Sequence, residues 1–223
     1  MPVQLSLTST PRLTGQLTLA DLNLALELNI PHAQAEADRV GMATDNADLH
    51  WRMVFALLSV HSNFAATCSA WLDLKGGGVE TRYPMATLAV LRRWPQIQYP
   101  LTKAQFISDL WHGVNKGGQC YWPQGLDDGA YRDYVRVNVR GLAWAKSSFA
   151  AMLVKGSADV ACIDTHMWRL FKGEPARGQI RASDYLDCEQ QVRVLAQRHG
   201  VSTSVAQHAM WDAMRGTESC LLP

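Results

Sequence analysis

The chain has 223 residues, 48% of them apolar, and a formal net charge of +1. It is long enough for a real core and too ordinary in composition to be disordered or fibrous. Near-neutrality excludes a protein that coats nucleic acid by charge alone, so any DNA contact must come from a local basic surface.

The longest apolar stretch, Met53 to Val60, is too short to cross a bilayer, and the first residues show no charged start followed by an apolar run. An intracellular (cytoplasmic) protein that does not enter a membrane is expected. Five cysteines, Cys68, Cys120, Cys162, Cys188 and Cys220, are scattered without a CxxC pair. That spacing argues against a disulfide framework, a structural zinc and a four-cysteine iron–sulfur cluster. No metal ligand set is expected.

In chain order, Thr18 and Asp21 cap a helix through LADLNLALEL, and Pro31 opens a second through AQAEADRV. From Asp48 apolar residues recur at helical spacing for many turns, interrupted by SVHSN, which predicts two helices meeting at a tight corner. Lys75-Gly76-Gly77-Gly78 ends that unit. A short helix over Met85–Trp94 stops at Pro95, and another starts at Thr102 and runs into the loop NKGGQCYWPQG. Asp127 and Asp128 open the next helix, Gly141 breaks it, and WAKSSFAAMLV resumes. After the loop KGSADVAC a helix starts at Asp164. Ser183 caps a helix stopped by Gly200, and the last helix spans roughly Thr203 to Arg215. Only LTSTPRLTGQLTL and GGVETRY offer strand patterns, both weak. The fold class is all-α, as one domain over residues 1–223.

The chemistry concentrates in residues 140–171, RGLAWAKSSFAAMLVKGSADVACIDTHMWRLF. A glycine turn between two helices is followed by Lys146 and then, 18 residues later, by Asp164 opening a helix. Alone, Asp164 reads as a helix N-cap and Lys146 as a solvated lysine. Arg132, Arg136 and Arg140 recur every four residues as a basic stripe, either a DNA-backbone contact or a solvated face.

The segment Ile163-Asp164-Thr165-His166-Met167-Trp168-Arg169, with Lys146 at its spacing, resembles the V-D-T-H-x-x-R signature of the helix-hairpin-helix DNA glycosylase superfamily. That resemblance implies a two-lobed helical bundle that flips a modified base from double-stranded DNA. Lys146 would be the nucleophile that forms a Schiff base with the opened sugar, and Asp164 the carboxylate that takes its proton and stabilises the sugar cation. AP-lyase activity can accompany excision in this family. The hairpin Arg140-Gly141-Leu142-Ala143-Trp144-Ala145 departs from the family's leucine-proline-glycine-x-glycine, having one glycine and no proline. Gly141 and Ala143 are nonetheless its expected phosphate contacts, with a monovalent cation left open there.

The corner Phe55–Asn63 resembles the turn that fills the gap left by an extruded base, which assigns His61 and Asn63 to DNA. VAQHAMWDAMRG resembles the closing helix of the branch acting on oxidised purines, which offers Trp211, Asp212 and Arg215 as pocket or packing residues. Tyr121, Trp122 and Trp144 are candidates to stack on the base, or core aromatics. A monomer without an iron–sulfur cluster is expected. Two rival functions share the scaffold: a viral enzyme that modifies thymine-derived bases by amino-acid or amine transfer without excision, and a non-catalytic DNA-binding module.

Overall fold

The computed structural model describes residues 19–117, 125–173, 180–215 and 221–223. Among them are ten helices and no strand: α1 Leu19–Val40, α2 Asn46–Leu58, α3 Phe64–Gly76, α4 Pro84–Leu91, α5 Pro100–Gly117, α6 Asp128–Asn138, α7 Trp144–Lys155, α8 Thr165–Lys172, α9 Ala182–His199 and α10 Thr203–Arg215. GGVETRY forms turns. Tyr121 and Trp122, most of LTSTPRLTGQLTL, and the side chain of Arg215 lie outside the described residues.

The expected break at Pro31 does not occur; Pro31 lies inside the continuous helix α1. The lost amide bond would have gone to Glu27, and both residues are exposed, where water serves the carbonyl. Leu26, Ala33 and Ala37, on either side of the proline, are all buried on one face. That shared face, packed against α10, outweighs the proline.

Two hydrophobic cores give the molecule its two lobes. One gathers residues of α2 to α7, including Phe55, Leu58, Trp71, Ile107, Tyr131 and Leu153. The other joins the first helix to the last two, with Leu26 and Ala33 of α1 packed with Tyr185, Val192, Ala206 and Met210 of α9 and α10. Ala145, at the start of α7, packs against both.

Buried charges tie loops to these cores. The Arg52 guanidinium donates to the carbonyls of Val40, Gly41 and Leu153 and pairs with Asp48 at 2.8 Å. It thereby fastens the α1–α2 connection to α7.

Candidate active site

The α2–α3 corner, the start of α7, the segment entering α8, and α10 enclose one cavity of about 630 Å³ between the lobes. Its lining includes Lys146, Asp164, His61, Asn63, Gly141, Ala143 and Trp211. Residues from both lobes thus converge on a space of the size that holds a small ligand.

Lys146 sits in the first turn of α7, its ammonium 5.1 Å from the Phe149 ring centre. Asp164 is the N-cap of α8, where Oδ1 accepts from the amides of His166 (2.9 Å) and Met167 (3.0 Å). Both capping bonds fall on one oxygen, so the cap fixes the carboxylate without consuming Oδ2. The capping and chemical readings of Asp164 are compatible in this geometry.

The segment leading to Asp164 is held from behind. The Tyr185 hydroxyl lies 2.5 Å from the Ala161 carbonyl and 2.9 Å from Ser148 Oγ, and accepts from the Ile163 amide. Glu189 Oε1 accepts from the Ala161 amide at 2.9 Å. Two residues of α9 therefore position the catalytic candidate through its backbone. Cys162 is buried, and burial pushes its thiol up to about 12, so it is a packing residue and not a nucleophile.

The arginine stripe divides. Arg132 is buried and forms a two-pronged pair with Glu189 at 2.7 and 2.9 Å, which corrects its assignment to DNA. A guanidinium consumed by a buried carboxylate cannot reach a phosphate. Arg136 lies over the Trp144 ring at 4.4 Å and beside Asp133. Arg140 is exposed and pairs with Asp109 at 2.9 Å. Two of the three arginines remain at the surface beside the hairpin.

Trp144 is not a cavity residue. Arg132 and Arg136 lie over its ring, and Tyr185 packs on it at 5.4 Å, so it braces α7. Asp212 is likewise not in the lining. It is fully buried behind the wall, between His32 and His208. Trp211 does line the cavity, edge-on to Phe64 at 6.4 Å.

At the hairpin, Gly141 has φ +92°, and a Cβ there would meet the Phe106 ring at 2.4 Å and Leu57 at 3.2 Å. The single glycine is therefore required twice, by conformation and by space. Ala143 caps α7 with no side-chain bond, leaving the first-turn amides uncapped from within. Gly141→Ala is expected to cost about 1–3 kcal/mol and to weaken duplex binding, measured by thermal melting and by DNA titration.

At the corner, Asn63 is the N-cap of α3 and accepts from the Ala66 amide at 3.2 Å. His61 is exposed with φ +51°, and its ring meets that of Tyr99, at φ +54°, with centres 6.3 Å apart. Among the described residues these are the two non-glycine positions in the left-handed region, a conformation that side chains adopt at a cost.

Sequence reasoning missed Lys103, which holds this corner. Its ammonium donates to the Leu58 carbonyl (2.7 Å), the Val60 carbonyl (2.6 Å) and Ser62 Oγ (2.6 Å). Burial, together with the charge of Lys146, pushes it down to about 7. The signal was present: Lys103 continues the spacing of Ile107, Leu110 and Val114, so a lysine occupies the apolar face of α5. Gln207 and His208 were also missed. Both are buried, both line the cavity, and Gln207 Oε1 and His208 Nδ1 have no hydrogen-bond partner among the described residues.

No protein-family model matches the chain, and no curated protein matches it in sequence. Solved structures do. The 8-oxoguanine DNA glycosylase of Thermotoga maritima matches with TM-score 0.67 at 21% identity, over 88% of this chain and 92% of that one. The 8-oxoguanine DNA glycosylase of Methanocaldococcus jannaschii matches with TM-score 0.68 at 14% identity, over 88% and 89%. The M. jannaschii glycosylase/lyase in complex with a 15mer DNA containing 8-oxoguanine matches with TM-score 0.68 at 16% identity, over 86% and 89%. The chain has the all-helical fold of these 8-oxoguanine DNA glycosylases.

Proposed function

We propose that this protein is a DNA glycosylase with lyase activity that removes an oxidised purine of the 8-oxoguanine kind from double-stranded DNA. The observation that carries the reading is that Lys146 and Asp164 line one cavity at the lobe interface, in a fold shared with 8-oxoguanine glycosylases.

The extruded nucleotide enters this cavity. The amine of Lys146 attacks C1′, forming a C–N bond as the glycosidic bond breaks with its electron pair on the base, which takes up the amine's proton by way of Asp164. The Asp164 carboxylate receives the proton shed by the amine and stabilises the positive charge on the sugar. The sugar ring then opens to an imine on Lys146 as the remaining amine proton moves to O4′, and removal of a C2′ proton with departure of the 3′ phosphate is the lyase step.

Base identity is assigned to α10. Trp211 offers a flat face, and the vacant acceptor of Gln207 suits an N–H of the base. Oxidation at C8 of guanine adds such a donor at N7 and a new carbonyl, so a polar wall favours the oxidised purine over the plain one. His61 and Tyr99, strained, exposed and in contact, are assigned to the space the base leaves in the duplex. Arg136 and Arg140 beside the hairpin are assigned to the phosphates.

The test is excision on duplexes carrying 8-oxoguanine, thymine glycol, uracil or hydroxymethyluracil. Abasic or cleaved product from 8-oxoguanine, and little from the pyrimidines, is expected. Release of a pyrimidine alone would contradict the substrate class. Intact strands whose modified base has changed mass would replace excision by base transfer.

A further inference from the structure

Behind the wall of that cavity, α1 and α10 bring together a group that the excision chemistry does not use. His32 Nδ1 lies 2.8 Å from Asp212 Oδ2, and His208 Nε2 lies 3.4 Å from Asp212 Oδ1. The three ligand atoms fall within 4.8 Å of one another. The two imidazole rings stand edge to face, 6.0 Å apart.

The sequence spacing explains the convergence. His32 and Glu36 are four residues apart on α1, and His208 and Asp212 are four apart on α10, so each pair occupies one helical face. Metal sites in helical bundles are built from such pairs on facing helices. Glu36 is close enough to feel the charge of His208, while its carboxylate accepts from Arg39 and the Leu221 amide.

We propose that His32, His208 and Asp212 form a binding site for a divalent transition metal of the zinc class. Around a tetrahedral ion with bonds of about 2.0–2.1 Å, neighbouring ligand atoms are spaced about 3.3 Å apart. His32 and His208 approach different oxygens of Asp212, at 2.8 and 3.4 Å, and the ligand atoms lie within 4.8 Å of one another, so the set has to draw in by up to about an ångström to close on one ion. Two imidazoles and a carboxylate are ligands that such ions accept. Asp212 has a side chain with no exposure, whereas that of His32 is 37% exposed. The partly exposed His32 is the side from which an ion could reach the site.

The site has two consequences. It clasps α1 to α10 across 180 positions of sequence. It also occupies Nε2 of His208, which places the ring proton on Nδ1, in a residue of the cavity wall. The inference does not depend on which base, if any, the cavity accepts.

The experiment uses chelator-stripped full-length protein titrated with Zn²⁺ and, separately, Co²⁺, beside His32→Gln. One metal per chain is expected, with a Tm rise on the order of 5 °C at a hundredfold excess over Kd. Co²⁺ should give the visible spectrum of a nitrogen–oxygen site without thiolate charge transfer. His32→Gln, altered at a partly exposed position, should fold and lose more than about tenfold in affinity. Equal metal uptake by wild type and His32→Gln, an unchanged Tm, or a thiolate band from the cysteines would each overturn the assignment.

Discussion

Asp164→Asn is expected to lose about 10²–10⁴-fold in excision rate while keeping its fold. Asparagine caps helices about as well as aspartate, so the bonds to the His166 and Met167 amides survive and stability should change by no more than about 0.5 kcal/mol. What disappears is the negative charge, which the proposed mechanism uses to accept the lysine proton and to face the sugar cation. Single-turnover excision and thermal melting on one preparation read the two quantities separately. A melting temperature that collapses with the activity would make Asp164 a cap and nothing more.

The second large effect concerns stability. Arg132→Ala is expected to destabilise the protein by about 3–5 kcal/mol, because it strands Glu189 in the interior without its partner. For a chain of this length that is a fall in Tm of roughly 10 °C. Glu189 also accepts from the Ala161 amide, so the approach to Asp164 should loosen and excision should fall at temperatures where the protein remains folded. Arg140→Ala makes the contrast. Its side chain is exposed, so Tm should hardly move while duplex affinity drops and the salt dependence of binding loses about one unit of slope. Thermal melts and salt titrations of both variants decide between structural and DNA-facing arginines. Equal behaviour of the two would undo the division.

That division shows what a linear sequence can carry. The helix start at Asp164 was legible because capping chemistry is local, and the Lys146–Asp164 spacing was legible because one helix and one loop connect them. The corner at SVHSN was legible from interrupted periodicity, and the structure places it between α2 and α3. Arg132 was misread because helical spacing gives the face of α6 but not what covers it. The cover is Glu189, 57 residues away. Glu189 itself keeps the spacing of Tyr185, Val192 and Ala196 on the buried face of α9, so a carboxylate in an apolar row was a readable sign of a buried partner. Lys103 in the apolar row of α5 is the same sign.

Trp144 and Asp212 stood open between the base pocket and packing, and the structure gives both to packing. Trp144 turns to Tyr185 and two guanidinium groups, and Asp212 turns to α1. No local rule contains those contacts. Pro31 went the other way: local chemistry predicts a helix break, and the shared buried face of α1 overrides it. Gln207 and His208 escaped notice because a polar residue on a helix is unremarkable until its burial, and the one atom it leaves unbonded among the described residues, are known.

The central claim is that Lys146 becomes covalently attached to the sugar. Borohydride reduction during reaction with an 8-oxoguanine duplex tests it most directly, with Lys146→Ala alongside. A protein–DNA adduct that forms with the wild type, is absent from Lys146→Ala, and maps by peptide mass to the α7 segment is the predicted result. An adduct of equal yield in Lys146→Ala, or efficient excision with no adduct at all, would contradict the account.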